Sequence, residues 1–489
     1  ALASRSIEAA VALGHAPTEA DARLARGWVL TDQGELVAAE TELREALHAA
    51  EAGHHDTAVA LAWNRLAWVV GYKAARHDEG RRLAEHAEAW GRRLGPDPEA
   101  ELSRLRTQGW IDHDAGRAQA ALEHFERALA VADRLPAGDA ISSEELALVH
   151  NGLGAAALGI ADLPRAADSF GRAAELLEAQ LGPDHPDVAK VRNNLASLLR
   201  AQGQSEAALR LLLHNLEVFE ATFGEAHPLV GQTLINVAVA ELDLGRHDSA
   251  ERHAERGIAV LSAAHGPRHP MVAKAHTLRG DARVQLQRPR EAIEDFELAL
   301  ELELETLGED HPSLGIIESN LGGAYYDLDQ LDEAAEHQVR AIDLLTEGLG
   351  DDHPNVAFVV LSLGLTRGAQ GRVAEALPLF QRAEQTADAS LLPNAKTRVG
   401  EVLVQLGRLE PGLDKLEQAY ALYGDIEHDP GFFGDTCLAL ARARWATGHD
   451  RSGALDMAQQ AIDAYTEGGD TELEAEARRW LAAHAPSPG

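Results

Sequence analysis

The chain has a single cysteine, Cys437, in 489 residues. An intrachain disulfide is therefore excluded, and the fold does not rely on an oxidising compartment. Aromatic residues make up only 4%; together with the scattered β-branched residues they are too few for a large sheet. Lysine occurs five times, at Lys73, Lys190, Lys274, Lys396 and Lys415. With 79 acidic and 44 basic residues, the formal net charge is −35. Nucleic acid is bound by Lys and Arg neutralising phosphates, so this surface argues against it as a partner. Anionic membrane is disfavoured for the same reason. No apolar run approaches the roughly 20 residues that span a bilayer. The start, ALASRSIEAA, lacks the basic region and apolar core of a signal peptide. These absences point to a soluble, cytoplasmic protein. The chain begins with Ala1 and not Met, as expected of a piece of a longer protein.

Catalytic signatures are missing as well. There is no HExxH, no GxxxxGK[ST], no GxSxG and no paired CxxC. The expectation is a chain that is not an enzyme and holds no cofactor. Cys437 reads as a small core hydrophobe. Acid–His neighbours such as His77-Asp78 and His247-Asp248 fall in turns, where they cap helices. Arg81-Arg82 and Arg92-Arg93 near Trp90 read as a solvated basic face.

What the chain does have is repetition. LGPDHP, FGEAHP, HGPRHP, LGEDHP and LGDDHP recur between residues 181 and 354, with their histidines at His185, His227, His269, His311 and His353. The spacing is 42 residues each time. Gly203, Gly245, Gln287, Asp329 and Gly371 keep the same period, each five residues before an alanine. Two markers locked to one period indicate a stacked structural unit. Stacking makes an extended surface suited to binding macromolecules.

Each unit reads as two helices. After His185, Pro186 suits the first helical turn, and Val188, Val191, Leu195, Leu198 and Leu199 recur at helical spacing. Gly203 stops this helix. Ala208, Leu209, Leu212, Leu216 and Phe219 give the second helix its apolar face. Ala208, Ala250, Ala292, Ala334 and Ala376 stand where two helices cross closely and only a small side chain fits. Further turns are expected near Gly34, Ala75, Gly116, Ala161, Gly407 and Gly448, for about eleven hairpins in all. Residues 1–13 would form a leading half-unit. The regularity of the repeat divides the chain into a divergent 1–140, a regular 141–390, a C-terminal 391–484 and a disordered tail, 485–489. The tryptophans cluster at Trp28, Trp63, Trp68, Trp90 and Trp110 and again at Trp445 and Trp480, as capping and packing residues of the end units.

Leu153-Gly154, Leu321-Gly322 with Tyr325, and Leu363-Gly364 resemble the first helix of the tetratricopeptide repeat, TPR. Ala166-x3-Phe170, Ala292-x3-Phe296 and Ala376-x3-Phe380 resemble its second. The 42-residue period with its LGxxHP junction is similar to the repeats of kinesin light chain. The resemblance implies an all-α, right-handed α-solenoid that binds a protein or peptide without catalysing a reaction. With its arginine and alanine richness, the chain also resembles the C-terminal TPR region of large bacterial, myxobacterial-type Ser/Thr protein kinases, which implies recruitment or regulation of partners for an attached catalytic domain. A small-ligand or signalling-peptide regulator, and self-association through terminal repeats, stand as the alternatives.

In TPR domains the first helices line the concave face, where Asn and Lys grip peptides. Asn194, Asn236 and Asn320 share one phase here. Lys190, Gln232 and Lys274 lie four residues before that phase, on the same helical side. These residues and Tyr326 are the candidate contacts, Asn being able to bond an extended backbone through both C=O and NH2. The competing reading is that Asn holds neighbouring helices together. A shared metal at the five histidines is rejected by size. Zinc ligands lie within about 3–4 Å of each other, whereas equivalent points of successive hairpins are at least about 8–10 Å apart. The histidines are expected to brace the loop before proline.

Overall fold

The computed structural model describes residues 2–134, 141–309, 311–425, 429–448 and 450–485. Among these it contains 24 α-helices and no strand. Cα packing divides the chain into two compact units, Ala1–Arg288 and Pro289–Gly489. The boundary falls inside the regular array. The first unit opens with a lone helix, Leu2–Leu13, continues through six helical hairpins, and ends with the helix Pro270–Gln285. The second opens with the helix Pro289–Leu307, continues through four hairpins, and ends with Thr471–His484. Apart from Ala485, the expected tail lies outside the described residues.

The turns follow from backbone sterics. All eleven expected turn residues have positive φ. Gly34, Gly116, Gly203, Gly245, Gly371, Gly407 and Gly448 lie between +69° and +80°, and Ala75, Ala161, Gln287 and Asp329 between +54° and +60°. One left-handed residue ends a helix and turns its last amides back onto the closing carbonyls. At Gly203 these bonds are Gly203 N–H to Arg200 O, 2.8 Å, and Gln204 N–H to Leu199 O, 2.8 Å.

The junctions between hairpins use a second device. Gly182, Gly224, Gly266, Gly308 and Gly350 stop the second helices at φ of +84° to +90°. Three residues later the histidine caps the next helix. Nδ1 of His185, His227, His269, His311 and His353 accepts the N–H two residues on at 3.1–3.2 Å. Proline occupies the first helical position after each, where it needs no N–H partner. The histidines therefore brace the loop, as their place before proline suggested.

Inside each hairpin small residues meet large ones. Ala208, Ala250, Ala292, Ala334 and Ala376 are fully buried. A Cβ on Gly154 would stand 2.7 Å from the Phe170 ring, and one on Gly364 2.5 Å from Phe380. The ring of the second helix thus rests on bare backbone of the first. Removing such a buried phenylalanine costs about 3–5 kcal/mol.

The turns make a paired prediction. A side chain at left-handed φ costs about 1–2 kcal/mol, partly offset by the extra freedom of glycine in the unfolded chain, about 0.4–1 kcal/mol. A Cβ on Gly203 meets nothing within 4 Å, so Gly203→Ala is expected to lower stability by about 1 kcal/mol through the backbone alone. Ala161→Gly is expected to raise it by up to about the same amount. Urea unfolding midpoints of the two variants, moving in opposite directions, are the check.

Candidate docking face

The first helices of successive hairpins start in register, so equivalent positions point the same way. Lys190, Gln232 and Lys274 are all exposed in the first unit. In the second unit the same phase is occupied by Ile316 and Phe358, 44% and 54% exposed. Lys190 Nζ pairs with Asp187 at 2.7 Å on its own helix. One turn further on, Asn194, Asn236 and Asn320 are half-buried. Asn194 Nδ2 donates to Asn151 Oδ1 at 2.9 Å, which ties two hairpins together. Asn194 also borders a cleft of about 260 Å³ with His113, Ala155, Leu158, Gly159, Phe170 and Ser197. Both readings of this asparagine thus have a structural counterpart. Tyr325 stacks on His337 at 5.1 Å, while Tyr326 is 38% exposed.

A buried polar ladder lies one residue away from the expected one. Asn193 Nδ2 donates to Thr233 Oγ1 at 2.8 Å, and Asn215 Nδ2 donates to Asn193 Oδ1 at 2.8 Å. Asn64 to Ser103 at 3.1 Å and Thr397 to Thr436 at 2.7 Å repeat this cross-hairpin link elsewhere. The tandem Asn193-Asn194 hid the difference. Adjacent residues lie about 100° apart on a helix, so one is core and the other is surface.

Sequence reasoning also missed Lys73. It ends a π-helical segment, Ala67–Lys73, a widening that leaves no compositional trace. Its ammonium lies 5.0 Å from the Tyr72 ring centre and 5.6 Å from that of Trp68. Tyr72 in turn meets Trp110 at 5.4 Å, and Trp110 meets Phe125 edge-on at 5.7 Å. Burial, joined by Lys190, pushes the Lys73 pKa down to about 8, with Asp32 and Asp114 opposing. Trp63 stacks on His86 at 4.5 Å, and Trp445 meets Trp480 edge-on at 6.1 Å, so these tryptophans pack. Lys396 and Lys415 both pair with Glu384, at 2.7 and 2.5 Å.

Cys437 is fully buried, and burial raises its thiol to about 12, far from a thiolate at neutral pH. Among the described residues no group of three His, Cys, Asp or Glu is placed to hold a metal ion, and no helix is long and apolar enough to cross a membrane.

The two asparagines separate by stability. Asn193→Ala strips partners from the buried Asn215 and Thr233 and is expected to cost about 1–3 kcal/mol. Asn194→Ala removes one half-buried bond and is expected to cost about 1 kcal/mol or less. Thermal unfolding of the two single variants checks the order.

Residues 145–221, 188–263, 229–303, 271–347 and 313–389 each match the family described as Tetratricopeptide repeat. No curated protein matches the chain. Two solved structures similar to it are kinesin light chain nearly identical TPR-like repeats of Podosopora anserina and BtubC (BKLC) from P. vanneervenii. The first is 23% identical over 41% of this chain and 96% of its own, with a TM-score of 0.37. The second is 20% identical over 48% of this chain and 89% of its own, with a TM-score of 0.36. Repeats of this kind generally mediate protein–protein interactions. The matched segments run from 145 to 389, half of the chain, and the chain belongs to the tetratricopeptide repeat family.

Proposed function

We propose that the first-helix face docks an extended segment of a partner protein and holds that partner for a catalytic domain attached to the same polypeptide. The observation that carries this reading is the exposed row Lys190, Gln232 and Lys274 at one position of successive first helices. Lys190 and Lys274 meet acidic side chains of the segment. Gln232 and Asn236 bond its backbone, whose C=O and N–H groups recur at a spacing that amide side chains match. A small molecule is a poorer occupant. The clefts of about 260 Å³ fall below the roughly 300–1,000 Å³ of typical small-ligand pockets.

Lys190→Ala/Gln232→Ala is the appropriate variant, because Asn194 also holds two hairpins together. Partner capture from the native host by the wild-type chain, followed by titration of the captured protein against both forms, is the measurement. A bond to a charged group contributes about 1.5–3 kcal/mol, and 1.4 kcal/mol is one decade in Kd. The double variant should therefore bind at least about tenfold more weakly, with unfolding unchanged. Equal affinity of the two forms rejects the face.

A further inference from the structure

Lys73 ends the first-helix side of its hairpin, after the helix Asp56–Leu66 and the π-helical segment Ala67–Lys73. Its place on the groove side follows from a step that neighbouring hairpins share. Bare backbone at Gly27, Gly109 and Gly154 carries Leu43, Phe125 and Phe170 of the second helix, where an added Cβ would stand 2.7–2.8 Å away. The residues that follow are Trp28, Trp110 and Ala155, and Ala155 borders the cleft that Asn194 lines. Ala67 and Leu83 keep the same separation of 16 residues and are both buried, so Trp68 takes this step in the hairpin of Lys73. Tyr72 lies one turn further on and meets Trp110 of the next hairpin at 5.4 Å.

Lys73 has no counter-ion. Lys190 pairs with Asp187 at 2.7 Å, and Lys396 and Lys415 share Glu384 at 2.7 and 2.5 Å; Lys274 is engaged as well. Among the described residues no acceptor lies within hydrogen-bonding distance of Lys73 Nζ. The amine rests instead on the faces of Tyr72 and Trp68, 5.0 and 5.6 Å from the ring centres. It is not sealed off: the residue is half-buried, and Nζ keeps contact with solvent. An ammonium taken from water without an acceptor is costly, and the ring faces offset only part of that cost. The environment therefore favours the free amine, which is the nucleophilic form.

The charged groups that face Lys73 come from several elements. Burial lowers its pKa most, Lys190 of the helix Pro186–Ala201 adds to the effect, and Asp32 and Asp114 at the ends of two first helices oppose it, for a value of about 8. Burial raises the Tyr72 phenol, which stays neutral. His269 Nε2 meets the Lys73 carbonyl oxygen at 3.4 Å. Burial also lowers the pKa of His227, His265 and His269, so these rings are neutral at pH 7.5. At pH 8 about half of the Lys73 amines are free base, against roughly one in 250 for a lysine at its ordinary value of about 10.4.

We propose that Lys73 is an acylation site: its ε-amine takes the acyl group of a small acyl phosphate, and the amide that forms removes a positive charge from the first-helix face. The Nζ lone pair adds to the carbonyl carbon, and the C–O bond to phosphate breaks. The phosphate leaves with that electron pair, and the surplus N–H proton passes to water. An anionic donor suits the place, since Lys190 lies nearby in a chain whose net charge of −35 repels anions elsewhere. The effect on docking rests on the reading above; the acylation itself does not.

The test treats the full chain with limiting acetyl phosphate at pH 7.5. The protein is then unfolded, the remaining amines are exhausted with deuterated acetic anhydride, and mass spectrometry of peptides reads the light fraction at each lysine. Lys73 should acquire the light acetyl group at least about tenfold faster than Lys396 or Lys415. Its rate should level off above pH of about 8, while theirs keep rising. In urea the preference should vanish. Lys190→Gln should slow the reaction at Lys73 and Asp32→Asn should speed it, with helicity by circular dichroism unchanged. A folded chain in which Lys73 reacts no faster than Lys396 overturns the site, as does a preference that persists in urea. So does a folded Lys190→Gln variant whose Lys73 reacts at the unaltered rate. No partner enters the measurement, so its failure and a failure of docking are told apart.

Discussion

An imidazole nitrogen that accepts a backbone N–H is the interaction on which the regular part of this molecule depends. Each of the five junction histidines fixes where a first helix begins, and the proline after it fixes the direction of entry. A cap of this kind contributes only about 0.5–2 kcal/mol. Its larger effect is on phase. Because every first helix starts at the equivalent residue, side chains 42 positions apart face the same way. Lys190, Gln232 and Lys274 form a row for that reason, and a helix started one residue late would turn its member of the row by about 100°.

Hairpin closure is the complementary constraint. The left-handed residue ends the first helix, and the buried alanine lets the second approach closely. The aromatic ring of the second helix then lies where the first has only glycine. These interactions are local, spanning at most one hairpin, and they were legible in the sequence for that reason. All eleven turn residues, the alanine crossings and the junction caps could be read from residue type and period. The outward position of Lys190 and Gln232 followed from the same periodicity.

The rest depended on contacts that no local pattern encodes. The bond from Asn194 goes to Asn151, one whole repeat away, and the choice between Asn193 and Asn194 as the buried member is set by Thr233 and Asn215 on neighbouring helices. The π-helical widening before Lys73 depends on one extra residue in a helix whose apolar spacing still reads as helical. His269 Nε2 reaches the Lys73 carbonyl oxygen 196 positions away, and no repeated phrase announces that contact.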